Sequence, residues 1–260
     1  MAKRIISVLS GKGGVGKTTI AVNLSALAAA DSEIVLIDGD VGNPTVGLHL
    51  GLWGYTNGLQ NVLAGKCGLE QAEVVHPATG IRVVPSSLEY VRELKTSKLK
   101  EVLERDPHDK FIIDSPPGVS MTLEDILAAS TETIVVVTPD IPSVMSAVKI
   151  IELAEKSKVK VDGIVLNRVL NKKYEMHVRE IENTCNSRIL VTIPEEKTVP
   201  ESIAARMPVV LYAPNCAAAS SFRDLAVELG FDGKGIERGV GRGGPLARFF
   251  AWLSRRFGGG

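Results

Sequence analysis

The residue types with the clearest chemistry stand near the start of the chain, in Ser10-Gly11-Lys12-Gly13-Gly14-Val15-Gly16-Lys17-Thr18-Thr19. An apolar run at 5–9 leads into this loop and a helical stretch leaves it at Thr18. That setting is the one in which G-x-x-x-x-G-K-[ST] binds phosphate. Glycines let backbone N–H groups turn inward without Cβ clashes and cradle a β-phosphate. Lys17 is placed to neutralise β- and γ-phosphates, Thr18 to hold Mg²⁺ through its hydroxyl, and the helix N-terminus adds partial positive charge. Lys12, five positions ahead of Lys17, does not easily reach the same phosphates. Two readings stand for it: a solvated surface charge, or a cation reaching across a two-fold axis to a second subunit's nucleotide.

Two more loops carry carboxylates. Asp38-Gly39-Asp40 follows an apolar run at 34–37, and Asp114-Ser115-Pro116-Pro117-Gly118 follows one at 111–113. Mg²⁺ is held through carboxylate, water and phosphate oxygens, and a hydrolytic water needs a positioned acceptor. Acidic strand ends on the phosphate side meet both needs, so Thr18, Asp38 and Asp114 form the expected metal set. Either loop alone is an ordinary Asp turn. Their weight comes from lying at the ends of strands beside the phosphate loop.

The elements that must position these residues are legible as alternation. Runs at 5–9, 34–37, 81–84, 111–113, 133–137, 161–166 and 189–193 read as strands, apolar on both faces as buried parallel strands are. Helical candidates lie near 17–30, 96–105, 142–157, 174–184, 198–206 and 216–229. This rhythm predicts an α/β P-loop NTPase, a mostly parallel sheet flanked by helices on both faces, with ligands at the carboxyl ends of the strands. With 260 residues and 45% apolar composition the chain can bury one large core. Cys67, Cys185 and Cys216 form no Cys-x-x-Cys pair, and the four histidines (His49, His76, His108, His177) follow no metal spacing. The start of the chain shows no signal-peptide pattern, and no apolar run approaches the ~20 residues of a membrane span. A cytoplasmic protein is expected.

The segment S-G-K-G-G-V-G-K-T-T at 10–19 resembles the MinD/ParA family of deviant Walker A ATPases, and the likeness extends over about 4–230. It implies ATP and Mg²⁺ as ligands and an ATP-dependent homodimer in which Lys12 acts in trans, as an arginine finger does elsewhere. Asp38-Gly39-Asp40 is similar to the family's switch I, which assigns Asp40 the attacking water. Asp114 to Gly118 is similar to switch II, with Asp114 as the Walker B residue and the Gly118 amide able to sense a γ-phosphate. The double proline departs from the more usual Asp-x-Pro-Ala-Gly at the hinge. By the same resemblance Asn167, Arg168, Pro194 and Glu195 line the adenine pocket; on its own, Asn167 in a loop equally reads as an Asx turn.

Composition changes after Gly230. Residues 231–260 carry net +4 and the rest net −4. Residues 231–244 hold six glycines and read as a linker spanning roughly 20 Å. In 245–257, Leu246, Phe249, Phe250, Leu253 and Phe257 recur at helical spacing, with Arg248 and Arg255 opposite and Trp252 and Arg256 flanking. Such a helix suits an anionic bilayer surface. Each large side chain contributes at most ~1.5–3 kcal/mol on burial against ~1–2 kcal/mol per ordered residue, so one copy is marginal. Two copies on a dimer gain roughly 10²–10⁴ in avidity. The expected organisation is 1–230 ATPase domain, 231–244 linker and 245–260 membrane-targeting helix, reversibly peripheral at the inner face of the cell membrane. This arrangement resembles the MinD branch, which positions the division site or another structure and answers to a regulatory protein. The rivals are a ParA-type DNA or cargo partitioner, with Lys95, Lys98 and Lys100 as its basic patch, and a flagellum-positioning relative. The acidic body disfavours nucleic acid. A metal-cluster scaffold would need paired cysteines.

Overall fold

The computed structural model of the protein describes residues 3–87 and 94–232. Among them eight strands form one sheet: β1 (Arg4–Leu9), β2 (Val35–Asp38), β3 (Val74–Val75), β4 (Arg82–Val84), β5 (Lys110–Asp114), β6 (Glu132–Val137), β7 (Lys160–Val169) and β8 (Ile189–Pro194). Their order is β3-β4-β2-β5-β1-β6-β7-β8, and all neighbours are parallel except β3 on β4. The seven expected strands are all present. The edge strand β3 escaped the sequence because two residues carry no periodicity.

Strand chemistry explains the layers. Along β1, Ile6 and Val8 face one side while Ile5 and Leu9 face the other, each almost fully buried. On the first side lie helices Lys17–Ala28 and Ala217–Glu228. The second side is covered by Leu59–Leu63, Leu99–Arg105 and Met121–Ala129 towards one edge, and by Ile141–Lys156 and Val178–Cys185 towards the other. Burying both faces is what the unalternating apolar runs require.

Helix Met121–Ala129 was not among the expected elements. Its signals are present: Ser120 Oγ accepts from the Leu123 N–H at 3.1 Å, and Leu123, Ile126 and Leu127 share the buried face. Short helices Val46–Leu50, Leu59–Leu63, Leu69–Ala72 and Val209–Tyr212 were also missed, being about one turn each. The packed body runs past the expected boundary at Gly230. Phe231 is buried, its N–H donates to the Ala226 carbonyl, and the Arg4 guanidinium lies 4.8 Å over its ring. The tail residues Leu246, Arg248, Phe249, Phe250, Trp252, Leu253, Arg255, Arg256 and Phe257 lie outside the described residues.

One contact sets the spacing of the two acidic strand ends. Gly39 follows β2, and its N–H donates to the Asp114 carbonyl at 2.8 Å. A Cβ there would stand 2.8 Å from that oxygen and 3.0 Å from the Ile113 and Ile126 side chains. Gly39→Ala is expected to lower stability by about 1–3 kcal/mol, read from urea unfolding, because rigid backbone must move. An unchanged midpoint would show that the strand ends have slack.

Candidate functional site

The carboxyl ends of β2, β5 and β1 lie side by side, with Asp38 in register with Asp114 and Asp114 with Val8. Leu9 ends β1 and the glycine loop follows, with Gly14 (φ 78°) and Gly16 (φ 97°) in the left-handed region that glycine tolerates. A Cβ on Gly16 would meet the Asn167 amide at 2.3 Å, and one on Gly11 would meet the Ser146 backbone at 2.5 Å. The loop is therefore clamped by β7's end on one side and helix Ile141–Lys156 on the other.

Beneath the loop, charges are buried together. Lys17 is 8% exposed, Asp114 1% and Asp38 0%. Burial lowers the Lys17 ammonium, with Asp114 and then Asp40 pulling it back up. Burial pushes the Asp114 carboxyl up to about 7, opposed by the Thr18 hydroxyl and Lys17. Asp38 is raised well above its ordinary range by burial and by Asp114 beside it.

The hydrogen bonds in this cluster satisfy one oxygen of each buried carboxylate. Thr18 Oγ1 donates to Asp114 Oδ2 at 2.6 Å and lies 2.9 Å from Thr45 Oγ1. Asp38 Oδ2 accepts from the Thr45 and Val46 N–H groups at 3.1 Å, which fixes the start of helix Val46–Leu50. Asp38 Oδ1 and Asp114 Oδ1 are buried with no hydrogen-bond partner. Two orphaned carboxylate oxygens among hydroxyls are a hard-oxygen donor set that fits Mg²⁺. Thr18 and Asp114 would hold the ion, with Asp38 behind them. Asp40, half-buried and raised by burial, accepts from the Asn43 N–H at 3.0 Å and shares one cavity with Gly13, Lys17, Thr18 and Pro117.

A second cavity of about 240 Å³ adjoins the loop and brings together the four residues expected around adenine. Asn167, Arg168, Pro194 and Glu195 line it with Gly16 and the buried Thr19. The Asn167 amide donates to the Val15 carbonyl at 2.7 Å, so one of its hydrogens braces the loop and only the other remains for a base. Glu195 is engaged rather than free: it accepts from Arg168 at 2.8 and 3.3 Å, while Arg168 also donates to the Gly14 carbonyl at 3.2 Å. Val199, Ile203 and Phe222 form an apolar wall that the sequence did not single out.

Two expected switch groups have partners of their own. The Gly118 N–H donates to the Ser10 carbonyl at 2.9 Å and must leave it to reach a phosphate. Lys12 is neither a free surface charge nor near the carboxylate cluster. Its Nζ donates to Asp140 Oδ1 at 3.1 Å, both side chains being about half exposed. Asp140 was missed, although it follows an apolar strand as Asp38 and Asp114 do; it caps helix Ile141–Lys156 by accepting from the Ser143 N–H.

A parallel sheet with this loop, lysine and acidic strand ends defines a P-loop NTPase. The chain belongs to the ParA family: the family model described as ParA, NUBPL iron-transfer P-loop NTPase, matches residues 1–230. It is 35% identical over 229 residues to an uncharacterised ATP-binding protein of Methanocaldococcus jannaschii, covering 86% of each chain. It is 32% identical to the septum site-determining protein MinD of Thermotoga maritima, covering 96% of this chain and 98% of that one. Its fold matches MinD complexed with Mg-ADP from Pyrococcus horikoshii at TM-score 0.83 and 29% identity, over 88% of this chain and 96% of that one.

The Asp114 position has a consequence for stability. Folded, the carboxyl holds its proton up to about pH 7; its ordinary value is 3.8. Between those values the folded chain binds the extra proton, so stability falls as pH rises and stays lower above pH 7. Asp114→Asn cannot ionise and is expected to melt of the order of 5 °C above the nucleotide-free wild type at pH 8, with a smaller gap at pH 5. A gap independent of pH would contradict the buried charge.

Proposed function

We propose that this protein is a MinD-like, Mg²⁺-dependent ATPase that dimerises on ATP, binds membrane through 245–260 and leaves it on hydrolysis. The observation carrying this reading is Lys12, which stands on the rim of its own phosphate site among exposed apolar side chains. Exposed apolar side chains adjoin the residues that touch the loop: Val119 (58% exposed) and Met121 (83%) follow Gly118, which bonds Ser10, and Ile141 (64%) and Met145 (52%) neighbour Asp140 and Ser146, which meet Lys12 and Gly11. A second copy laid on this face would cover them and bring its own Lys12 towards the opposing nucleotide.

Each residue then has a task. The loop amides from Gly13 to Thr18 and the Lys17 ammonium bind and orient the phosphates. Mg²⁺, when bound, would supply divalent charge to the phosphates. Thr18 and Asp114 hold that charge in place, and Asp38 keeps the strand end closed. Asp40 orients the water and accepts its proton, a role suited to a carboxyl raised by partial burial. Lys12 leaves Asp140 and stabilises charge at the partner's γ-phosphate. Gly118, released from Ser10, couples phosphate contact to the apolar rim. The reading places the protein at the inner face of the membrane, positioning a cellular structure under a regulatory partner.

The membrane step rests on the sequence of the tail. No helix among the described residues is long and apolar enough to cross a membrane. A metal-transferring P-loop NTPase is the second reading, but Cys67, Cys185 and Cys216 lie on separate segments, with Cys185 buried. In sedimentation with anionic vesicles, the full chain is expected to pellet with ATP and remain soluble with ADP or no nucleotide. A chain lacking 245–260 should stay soluble throughout. Co-sedimentation with DNA but not lipid would replace this reading with a partitioning one. Lys12→Ala should retain nucleotide affinity within about threefold yet lose hydrolysis by roughly 10³-fold; full turnover would return Lys12 to the surface.

A further inference from the structure

The edge of the sheet opposite the phosphate site carries a cluster that nothing above uses. Glu73 leads into β3, while Asp106 and His108 lie between helix Leu99–Arg105 and β5. Their side chains are 4%, 5% and 11% exposed, and one ligand-type atom from each falls within 4.8 Å of the others. The His108 ring packs edge-on to Phe111, with centroids 6.4 Å apart, which fixes where its Nδ1 points. Nδ1 stands 2.7 Å from Asp106 Oδ1 and 3.4 Å from Glu73 Oε1.

Glu73 supplies the independent observation. Its Oε1 is buried without a hydrogen-bond partner and faces into the cluster. Its other oxygen accepts from Arg82 Nη1 at 3.3 Å, which holds the carboxylate in orientation as an outer-sphere partner does at metal sites.

We propose that Glu73, Asp106 and His108 form a second divalent-metal site, suited to Zn²⁺ and separate from the nucleotide site. Two carboxylates and one imidazole are a borderline donor set that favours Zn²⁺ over Mg²⁺. Ligands about 2.1 Å from a tetrahedral zinc stand about 3.4 Å apart. The 3.4 Å Glu73–His108 spacing matches this, and the 2.7 Å Asp106–His108 contact must open by about 0.7 Å. Asp106 also lines a surface depression with Val102, Arg105 and Pro107. The ion would tie the β3 edge to the approach of β5 and act as a structural staple.

Zn²⁺ is titrated into the full chain in excess Mg²⁺ by calorimetry, beside His108→Asn and Glu73→Gln, while the His108 ring nitrogens are followed by NMR in the wild type. The proposal expects one Zn²⁺ per chain, a shift of the His108 nitrogen resonance on binding, and affinity at least roughly tenfold weaker in either variant with ADP binding unchanged. Wild-type protein that takes up no Zn²⁺, uptake that survives both variants, or a His108 resonance that ignores the metal would each overturn it. The last result would identify the cluster as an imidazole hydrogen-bonded between two carboxylates. The NMR arm needs no variant to fold.

Discussion

Two carboxylates forced together at neighbouring strand ends, with one lysine to balance them, set the terms for the rest of this structure. Parallel pairing places Asp38 opposite Asp114, and the helices on both faces seal them from water. A carboxylate in such a place is costly unless it is paired or protonated. Asp114 is held near neutrality, Asp38 is stabilised only through Oδ2, and one oxygen of each has no donor. The arrangement is incomplete as protein alone. A divalent cation bound with a nucleotide's phosphates would supply the charge and the ligands these oxygens lack.

The same logic reaches the rim. Lys17 is buried under the influence of Asp114 and Asp40, so it faces its own site rather than a neighbouring molecule. Lys12 is exposed and held by one partly solvated ion pair with Asp140, an interaction of low strength. A charge tethered that weakly, beside Val119, Met121, Ile141 and Met145, suits an exchange of partners at a subunit face. The Gly118 N–H on the Ser10 carbonyl ties the loop after β5 to the phosphate loop.

Much of this was legible in the sequence because the signals were local. The loop, the seven main strands and the acidic residues after them follow from spacing and from apolar runs that bury both faces. What stayed hidden was set by tertiary contact. Asp140 obeys the same strand-end rule as Asp38 and Asp114, yet its importance appears only when Lys12 is seen against it. Glu195 reads as a base contact until Arg168 folds onto it from a different strand. Phe231 looks like linker by composition because its burial depends on Arg4 and Ala226. Helix Met121–Ala129 has both a cap and a buried periodic face, so its signals were present in the sequence.

The account rests on the cation and the phosphates completing the buried carboxylate pair, and proton bookkeeping tests that directly. ATP is titrated calorimetrically at pH 7 with Mg²⁺ or with EDTA, in two buffers of different ionisation enthalpy, for wild type and Asp114→Asn. The account expects tight binding of one ATP per chain only with Mg²⁺, and a proton release in wild type that the variant lacks. Equal affinity in EDTA, together with the same proton release from both proteins, would contradict it.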